Sequence, residues 1–329
     1  ERGRAVMAVM TSGTTGIPKI LFRSFESWAD FFAIQNAVFG VDADSRLFVQ
    51  GSLAFTGNLN LYMGQLAAGG TLIAEDVFLP GKWEQVMARE RANGIYLIPS
   101  KLLMLPRVFK GVNANIRTII SGSQSLGRKD AEVLKKIFPN TEITLYYGAS
   151  ELNYITYVKS ADMTEERNLI GKPFPGVRVF IQDDEMYVDN AFHVENITVP
   201  YSLKDSGRMD LQGNFYFLGR TDDIVGVRGR KVSMMKIENA LEEVAGITEA
   251  AVVLLPKEKD ADMPAEIVSA FVTVEGTDVP ENLRQQLKEK LADFEIPKRV
   301  IVLEAFPKNT SGKVDKARLK KMWIEQEPQ

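Results

Sequence analysis

Through the first two thirds of the chain, short apolar and β-branched runs alternate with stretches whose apolar residues recur at helical spacing. That alternation admits few folds. Ala5–Met10, Ile20–Phe22, Leu47–Gln50, Thr71–Ala74, Ile95–Ile98, Arg117–Ile120 and Glu142–Tyr146 read as strands. Between them, Trp28, Phe31, Phe32, Gln35 and Val38 fall on one helical face that stops at Gly40, and Leu59–Ala68, Trp83–Ala92, Lys101–Phe109 and Lys129–Phe138 read as further helices. Strands separated by helices cannot pair as hairpins, so the expectation is an α/β fold with a mostly parallel, layered sheet covered by helices.

After Gly171 the pattern changes. Val177–Gln182, Glu185–Val188 and Asn214–Leu218 alternate apolar with polar residues between Gly, Asp and Asn turns, which predicts an antiparallel, small β-barrel-like region over 172–221. From Asp222 a third block follows. It has strands Ile224–Val227, Glu249–Leu255, Ile267–Val274 and Arg299–Leu303, with helices Lys236–Val244, Glu281–Phe294 and Asp315–Glu325. We therefore expect a large domain over 1–221 and a separate α+β C-terminal domain over 222–329.

Composition narrows the chemistry. The 329 residues are 45% hydrophobic and 25% charged, the balance of a chain able to bury a sizeable core. Forty Lys+Arg against 43 Asp+Glu leave a net charge of −3, with no global field to recruit nucleic acid. The absence of Cys removes thiol nucleophiles, disulfides and cysteine metal sites, and the single histidine, His193, rules out a multi-histidine centre and reads as a surface or turn residue. No apolar run approaches the ~20 residues of a membrane span. A cytoplasmic protein is the expectation.

The most informative segment is Thr11-Ser12-Gly13-Thr14-Thr15-Gly16-Ile17-Pro18-Lys19, between two strands. Glycines let backbone N–H groups converge on an anion, hydroxyls add donors, and lysine adds charge, the logic of a nucleotide phosphate cradle. It fits neither G-x-x-x-x-G-K-[ST] nor G-x-G-x-x-G. On these residues alone a phosphate cradle and a ligand-free Ser/Thr/Gly surface loop both remain open.

This string resembles the signature loop of the adenylate-forming superfamily, which includes acyl-CoA synthetases, peptide-synthetase adenylation domains and luciferases. Four further stretches agree with that family's order. Tyr146-Tyr147-Gly148-Ala149-Ser150-Glu151 resembles its Y-G-x-T-E motif with Ser for Thr, and Asp205, ahead of the Gly213-Asn214 turn, takes the place of its ribose-binding Asp. Gly219-Arg220-Thr221-Asp222-Asp223 with Arg228-Gly229 resembles the hinge motif, and Asn309-Thr310-Ser311-Gly312-Lys313 the N-x-x-G-K that carries a catalytic lysine. Two positions depart from the pattern: Leu203-Lys204 replaces the usual Thr-Gly before Asp205, and Gly226 stands where the family often has lysine after the hinge.

The resemblance implies ATP-dependent activation of a carboxylic acid as acyl-adenylate, with release of pyrophosphate, then transfer to a thiol. It implies that Thr11, Ser12, Gly13, Thr14, Thr15, Gly16 and Lys19 embrace the β- and γ-phosphates, and that Tyr147, beside Gly148, stacks on adenine. Ser150 binds the α-phosphate, Glu151 holds Mg2+, and Asp205 with Arg220 binds the ribose. Lys313 stabilises charge in adenylation, and Asp222 is the hinge of a mobile C-terminal lid. Such chemistry needs preorganised donors and cations rather than a protein nucleophile, in keeping with a cysteine-free chain.

Gly122-Ser123-Gln124 resembles the family's G-G-E segment bordering the acyl pocket, although a plain strand-to-helix turn explains it as well. Phe55-Thr56 falls where amino-acid-activating domains carry Phe-Asp, so an acid without an α-ammonium is expected. Val232-Ser233 before Lys236-Ile237-Glu238 resembles acyl-CoA synthetases. Coenzyme A is thus the first choice of acceptor, and the phosphopantetheine of a separate carrier protein the second. A non-catalytic nucleotide-binding subunit of the same fold is the competing expectation. Family members usually carry well over a hundred residues before the phosphate loop. A fragment, a compact member, or a chain completed by a homo-oligomer or helper subunit are the readings of that difference.

Overall fold

The computed structural model describes residues 7–10, 20–53, 55–221, 224–227, 229–257, 266–308 and 314–325, with Met10 and Lys231 described in backbone only. Thr11 to Lys19, expected to hold phosphate, Asp222, expected as the hinge, and Lys313, expected as the catalytic lysine, lie outside the described residues. The chain divides into two compact units, Glu1–Leu203 with Gly207–Phe217, and Lys204–Ser206 with Leu218–Gln329.

In the first unit the elements run β1 (Met7–Met10), β2 (Ile20–Arg23), α1 (Glu26–Phe39), β3 (Arg46–Gln50), α2 (Thr56–Ala67), β4 (Thr71–Glu75), α3 (Pro80–Arg89) and β5 (Gly94–Tyr96). They continue with α4 (Pro99–Leu102), α5 (Leu105–Val108), β6 (Thr118–Gly122), α6 (Arg128–Ile137), β7 (Glu142–Ala149), β8 (Asn153–Lys159), β9 (Leu169–Pro173), β10 (Arg178–Gln182) and β11 (Glu185–Asp189). β12 (Tyr201–Met209) and β13 (Phe215–Arg220) follow, their Lys204–Ser206 and Leu218–Arg220 stretches belonging to the second unit.

β1 and β2 form a small antiparallel pair, and the other strands form an eleven-stranded sheet in the order β10-β11-β12-β13-β9-β8-β7-β6-β5-β3-β4. β3 pairs in parallel with β4 and β5, β5 with β6, and β6 with β7. Alternate strand residues feed two cores. Phe48, Ile95, Ile119 and Ile143 pack with Trp83 and Met87 of α3 and Leu134 of α6. Leu47, Val49, Tyr96 and Ile120 pack with Phe31 and Phe39 of α1 and Leu61 of α2. Helices therefore cover both faces of the parallel block, as its uniformly apolar strands demand. α1 stops where Gly40 takes φ 65°, the left-handed conformation that glycine adopts without steric cost.

The antiparallel strands expected after Gly171 are present, and they continue the large sheet instead of standing apart from it. β9 pairs with β8 and β13, and β10 with β11. Two expected helices are shorter than their periodicity. The segment over Lys101–Phe109 is two single turns, α4 and α5, because Pro106 has no N–H to offer the Leu102 carbonyl and its ring crowds that oxygen. The segment over Glu281–Phe294 keeps only α8 (Leu283–Lys288), and beyond it the Glu295 carboxylate accepts from the Ala292 amide at 2.9 Å.

The second unit contains β14 (Ile224–Val227), β15 (Arg230–Ser233), α7 (Met234–Glu242), β16 (Ile247–Pro256), β17 (Glu266–Val274), α8, β18 (Arg299–Val302) and α9 (Lys316–Glu325). β14 and β15 pair as a ribbon, and β16-β17-β18 form a three-stranded sheet. One face, through Ala250, Val252, Val268 and Ala270, packs on Ile237 and Leu241 of α7 and Leu287 of α8. The other, through Ala251, Val253 and Phe271, packs on Phe306 and Leu319. α7 starts at a proper cap, the Ser233 hydroxyl accepting from the Lys236 amide at 3.3 Å. None of the described helices is long and apolar enough to cross a membrane.

Candidate active site

In the parallel block, β3 lies between β4 and β5, so the order of winding reverses between β3 and β5. Ligands of open α/β sheets bind outside the carboxyl ends of strands at such a reversal. α2 leaves the end of β3, α4 the end of β5, and the Gly122-Ser123-Gln124 turn the end of β6. The β7–β8 turn carries Ser150 and Glu151 between Ala149 and Asn153, which face each other across the hairpin.

Sequence motifs far apart meet here. The Ser150 hydroxyl donates to Thr56 Oγ1 at 3.2 Å, across 94 positions of chain. Behind that contact the first turn of α2 is tied to β7 and β8. The Tyr154 hydroxyl donates to the Gly57 carbonyl at 3.2 Å, and Asn60 Nδ2 donates to Asn153 Oδ1 at 2.6 Å. Tyr96 and Tyr146 share a hydrogen bond of 2.9 Å beneath. Burial pushes the Tyr146 phenol up to about 12 and the Tyr96 and Tyr154 phenols well above their ordinary value, so all three stay neutral donors and acceptors.

Glycines set how close these parts come. A Cβ on Gly122 would lie 2.5 Å from the Tyr146 ring, and one on Gly148 would lie 2.6 Å from the Asn153 carbonyl oxygen. The β7–β8 ladder slips in register between Tyr147 and Gly148. Tyr147 packs at 5.8 Å from the Phe217 ring and is half-buried, while Phe55 and Ser123 are exposed, Ser123 at φ 69°. Glu151 is half-buried, and its carbonyl accepts from the Val194 amide at 2.9 Å. Among the described residues no three His, Cys, Asp or Glu side chains gather as metal ligands. Mg2+ characteristically takes one or two carboxylates and completes its shell with phosphate oxygens and water, so a single carboxylate at Glu151 fits it.

In the second unit Arg220 Nε lies 3.6 Å from Asp205 Oδ1, which brings together two residues that the motifs also coupled. Asp205 is buried, in mid-β12, a strand that the alternation of the sequence did not disclose. Lys204, standing where the family's pattern has glycine, keeps a glycine-like backbone at φ 63°. A residue with a side chain thus holds a left-handed conformation here, at a steric cost. His193 is half-buried and its Nδ1 lies 2.7 Å from the Val194 carbonyl oxygen.

The profile of AMP-binding enzymes matches residues 4–191, and that of the AMP-binding enzyme C-terminal domain matches 236–313. The chain belongs to the AMP-binding enzyme family. It is 27% identical over 97% of its length to an uncharacterized acyl-CoA ligase, YhfT, of Bacillus subtilis, and spans 68% of that protein. It is also 27% identical, over 94% of its length, to a linear gramicidin synthase of Brevibacillus parabrevis, of which it spans 7%. The crystal structure of ATP-bound MatB from Rhodopseudomonas palustris shares the fold, with a TM-score of 0.82 at 23% identity over 97% of this chain and 68% of that one. An adenylate-forming fold, a large mixed sheet followed by a smaller sheet domain, is therefore shown for this AMP-binding enzyme.

Sequence reasoning passed over β8 and β9, although Tyr154-Ile155-Thr156-Tyr157-Val158 has the β-branched and aromatic character of a strand. It also passed over the tyrosines that brace the Ser150 turn and over Lys101 at the end of β5. Lys101 had a signal of its own, a cation one step past the Ile98-Pro99-Ser100 strand exit.

Proposed function

We propose that this AMP-binding enzyme is an ATP-dependent acid–thiol ligase. The Ser150–Thr56 contact carries the reading, because it places the end of the family's Y-G-x-T-E motif beside the residue expected to border the acid. A carboxylate oxygen attacks the α-phosphorus of ATP, the bond to the β-phosphate breaks, and pyrophosphate leaves with the electron pair. A thiolate then attacks the acyl carbon of the mixed anhydride and expels AMP.

On this reading Thr11, Ser12, Gly13, Thr14, Thr15, Gly16 and Lys19 hold the leaving pyrophosphate, Tyr147 stacks on adenine along Gly148, and Ser150 binds the α-phosphate. Asp205 and Arg220 accept from and donate to the ribose hydroxyls. Mg2+, held by Glu151, would neutralise charge on the phosphate oxygens. Lys313 would meet the charge that builds on the α-phosphate, carried there by rotation of residues 222–329 about Asp222. Gly122, Ser123, Phe55 and Thr56 border the acid. A hydroxyl at Thr56 offers no countercharge to an α-ammonium, which favours an acid without an α-amino group. Coenzyme A is the proposed acceptor. The likeness to a gramicidin synthase supports a carrier-protein phosphopantetheine as the second reading.

The test is pyrophosphate release from ATP across a panel of carboxylic acids. Wild type releases it with at least one acid, and Glu151→Gln and Lys313→Ala lose adenylate formation, while Lys313→Ala still transfers acyl groups from preformed acyl-adenylate. Nucleotide binding without pyrophosphate release from any acid would establish the non-catalytic alternative.

A further inference from the structure

Lys101 lies in α4, directly past the carboxyl end of β5. Its ammonium donates to the backbone carbonyl of Gln50 at 3.2 Å and to the Gln50 side-chain oxygen, at the end of β3. It thus bridges the two strands between which the winding order reverses. The Phe78 ring centroid lies 5.9 Å away. No carboxylate among the described residues pairs with this ammonium, and the side chain is half-buried. Burial lowers its pKa from the ordinary lysine value. A half-buried cation held by neutral oxygens alone recovers its lost hydration incompletely, and an anion beside it restores the balance.

The surroundings tie Lys101 to the acid-binding end of the molecule from both sides. Gly51, next to Gln50, receives the Tyr62 hydroxyl at 3.2 Å, and a Cβ there would meet Asn58 Nδ2 at 2.4 Å, in the first turn of α2 two residues after Thr56. On the other side, the Ser100 amide donates to Gln124 Oε1 at 2.9 Å, anchoring α4 to the Gly122-Ser123-Gln124 turn. One segment expected to border the acid therefore contacts the short stretch of chain that carries Lys101, and the other contacts the residue next to its Gln50 acceptor. On the proposed reading Ser150 and Thr56 meet the reacting carboxylate, and Lys101 is a second polar point, held at the end of β3 by Gln50.

We propose that Lys101 is a specificity-determining residue that pairs with a second carboxylate at the far end of the acid, so that the preferred substrate class is dicarboxylic. This rests on the reading of the chain as an acid-activating ligase. The charge-assisted pair would add directional hydrogen bonds that a monocarboxylic acid of equal length cannot make.

The experiment compares α,ω-dicarboxylates from succinate to sebacate with monocarboxylates of matching length. Binding to the whole chain is measured by calorimetry and pyrophosphate release in parallel, for wild type, Lys101→Gln and Lys101→Arg. Gln retains a donor toward Gln50 and removes the charge, so a purely structural role survives it; melting temperatures confirm folding. The expected result is a dicarboxylate whose Kd rises about tenfold or more in Lys101→Gln, equivalent to ~1.4 kcal/mol or more, with monocarboxylate binding unchanged and Lys101→Arg near wild type. Equal weakening of both acid classes, wild-type indifference to the second carboxylate, or no binding of any dicarboxylate would overturn the proposal. Lys101-dependent dicarboxylate binding without pyrophosphate release would support the subsite while refuting the ligase reading. Release that is insensitive to Lys101 would do the reverse.

Discussion

Two regions that the motifs single out are held in place by different physics. At the carboxyl ends of β6 and β7, position is set by packing. Gly122 and Gly148 allow approaches that no side chain would permit, and Tyr96, Tyr146 and Tyr154 fill the space beneath the Ser150 turn with neutral, mutually bonded phenols. At Asp205 the features are of another kind, a left-handed neighbour and an ion pair. Lys204 sits at φ 63°, and Arg220, with 48% of its side chain exposed, faces a buried carboxylate. A packed region resists any added atom, whereas a strained one can be relieved. The first should answer to volume and the second to conformation.

The largest test of that contrast is Gly122→Ala. The new methyl meets the hydroxyl-bearing end of a buried ring whose OH is hydrogen-bonded to Tyr96, so unfolding free energy should fall by about 3 kcal/mol in chemical denaturation. A loss below about 0.5 kcal/mol would show that the packed region has slack. The next test is alkaline titration. Tyr146 has a folded pKa raised to about 12 from an ordinary value near 10, so its stabilising contribution is complete below pH ~10 and is lost as pH rises through the folded value. Tyr146 alone should cost about 2 kcal/mol by pH ~12, and Tyr146→Phe should flatten the fall in denaturation midpoint. The smallest is Lys204→Gly. Removing Cβ from a left-handed residue should stabilise the fold by about 1 kcal/mol, with ATP binding retained. Destabilisation would mean that the Lys204 side chain, not its backbone, holds that segment.

Much of this was legible in the chain itself. The alternation of apolar runs with helical spacing announced the parallel block because buried strands must be apolar on both faces. Tyr147, Gly148, Ser150 and Glu151 declared themselves as one motif, as did the coupling of Asp205 with Arg220. Less legible was β12. Tyr201–Met209 carries Lys204, Asp205, Ser206 and Gly207 in its centre, a composition that reads as a turn and becomes a strand only because neighbours on both sides supply its ladder. Pro106 was visible, yet its power to cut the helix expected over Lys101–Phe109 into two turns was outweighed by the apolar periodicity around it.

Residue order by itself determined which chemistry this chain can offer: hydroxyls, carboxylates and lysines, no thiol, and the glycines that let backbones approach. Only the tertiary structure decided which of them meet. That the hydroxyls of Thr56 and Ser150 touch, and that Lys101 closes on Gln50, follows from strand order and register. Those are set by long-range hydrogen-bond ladders and by core side chains distant in the chain, so no local window of sequence contains them.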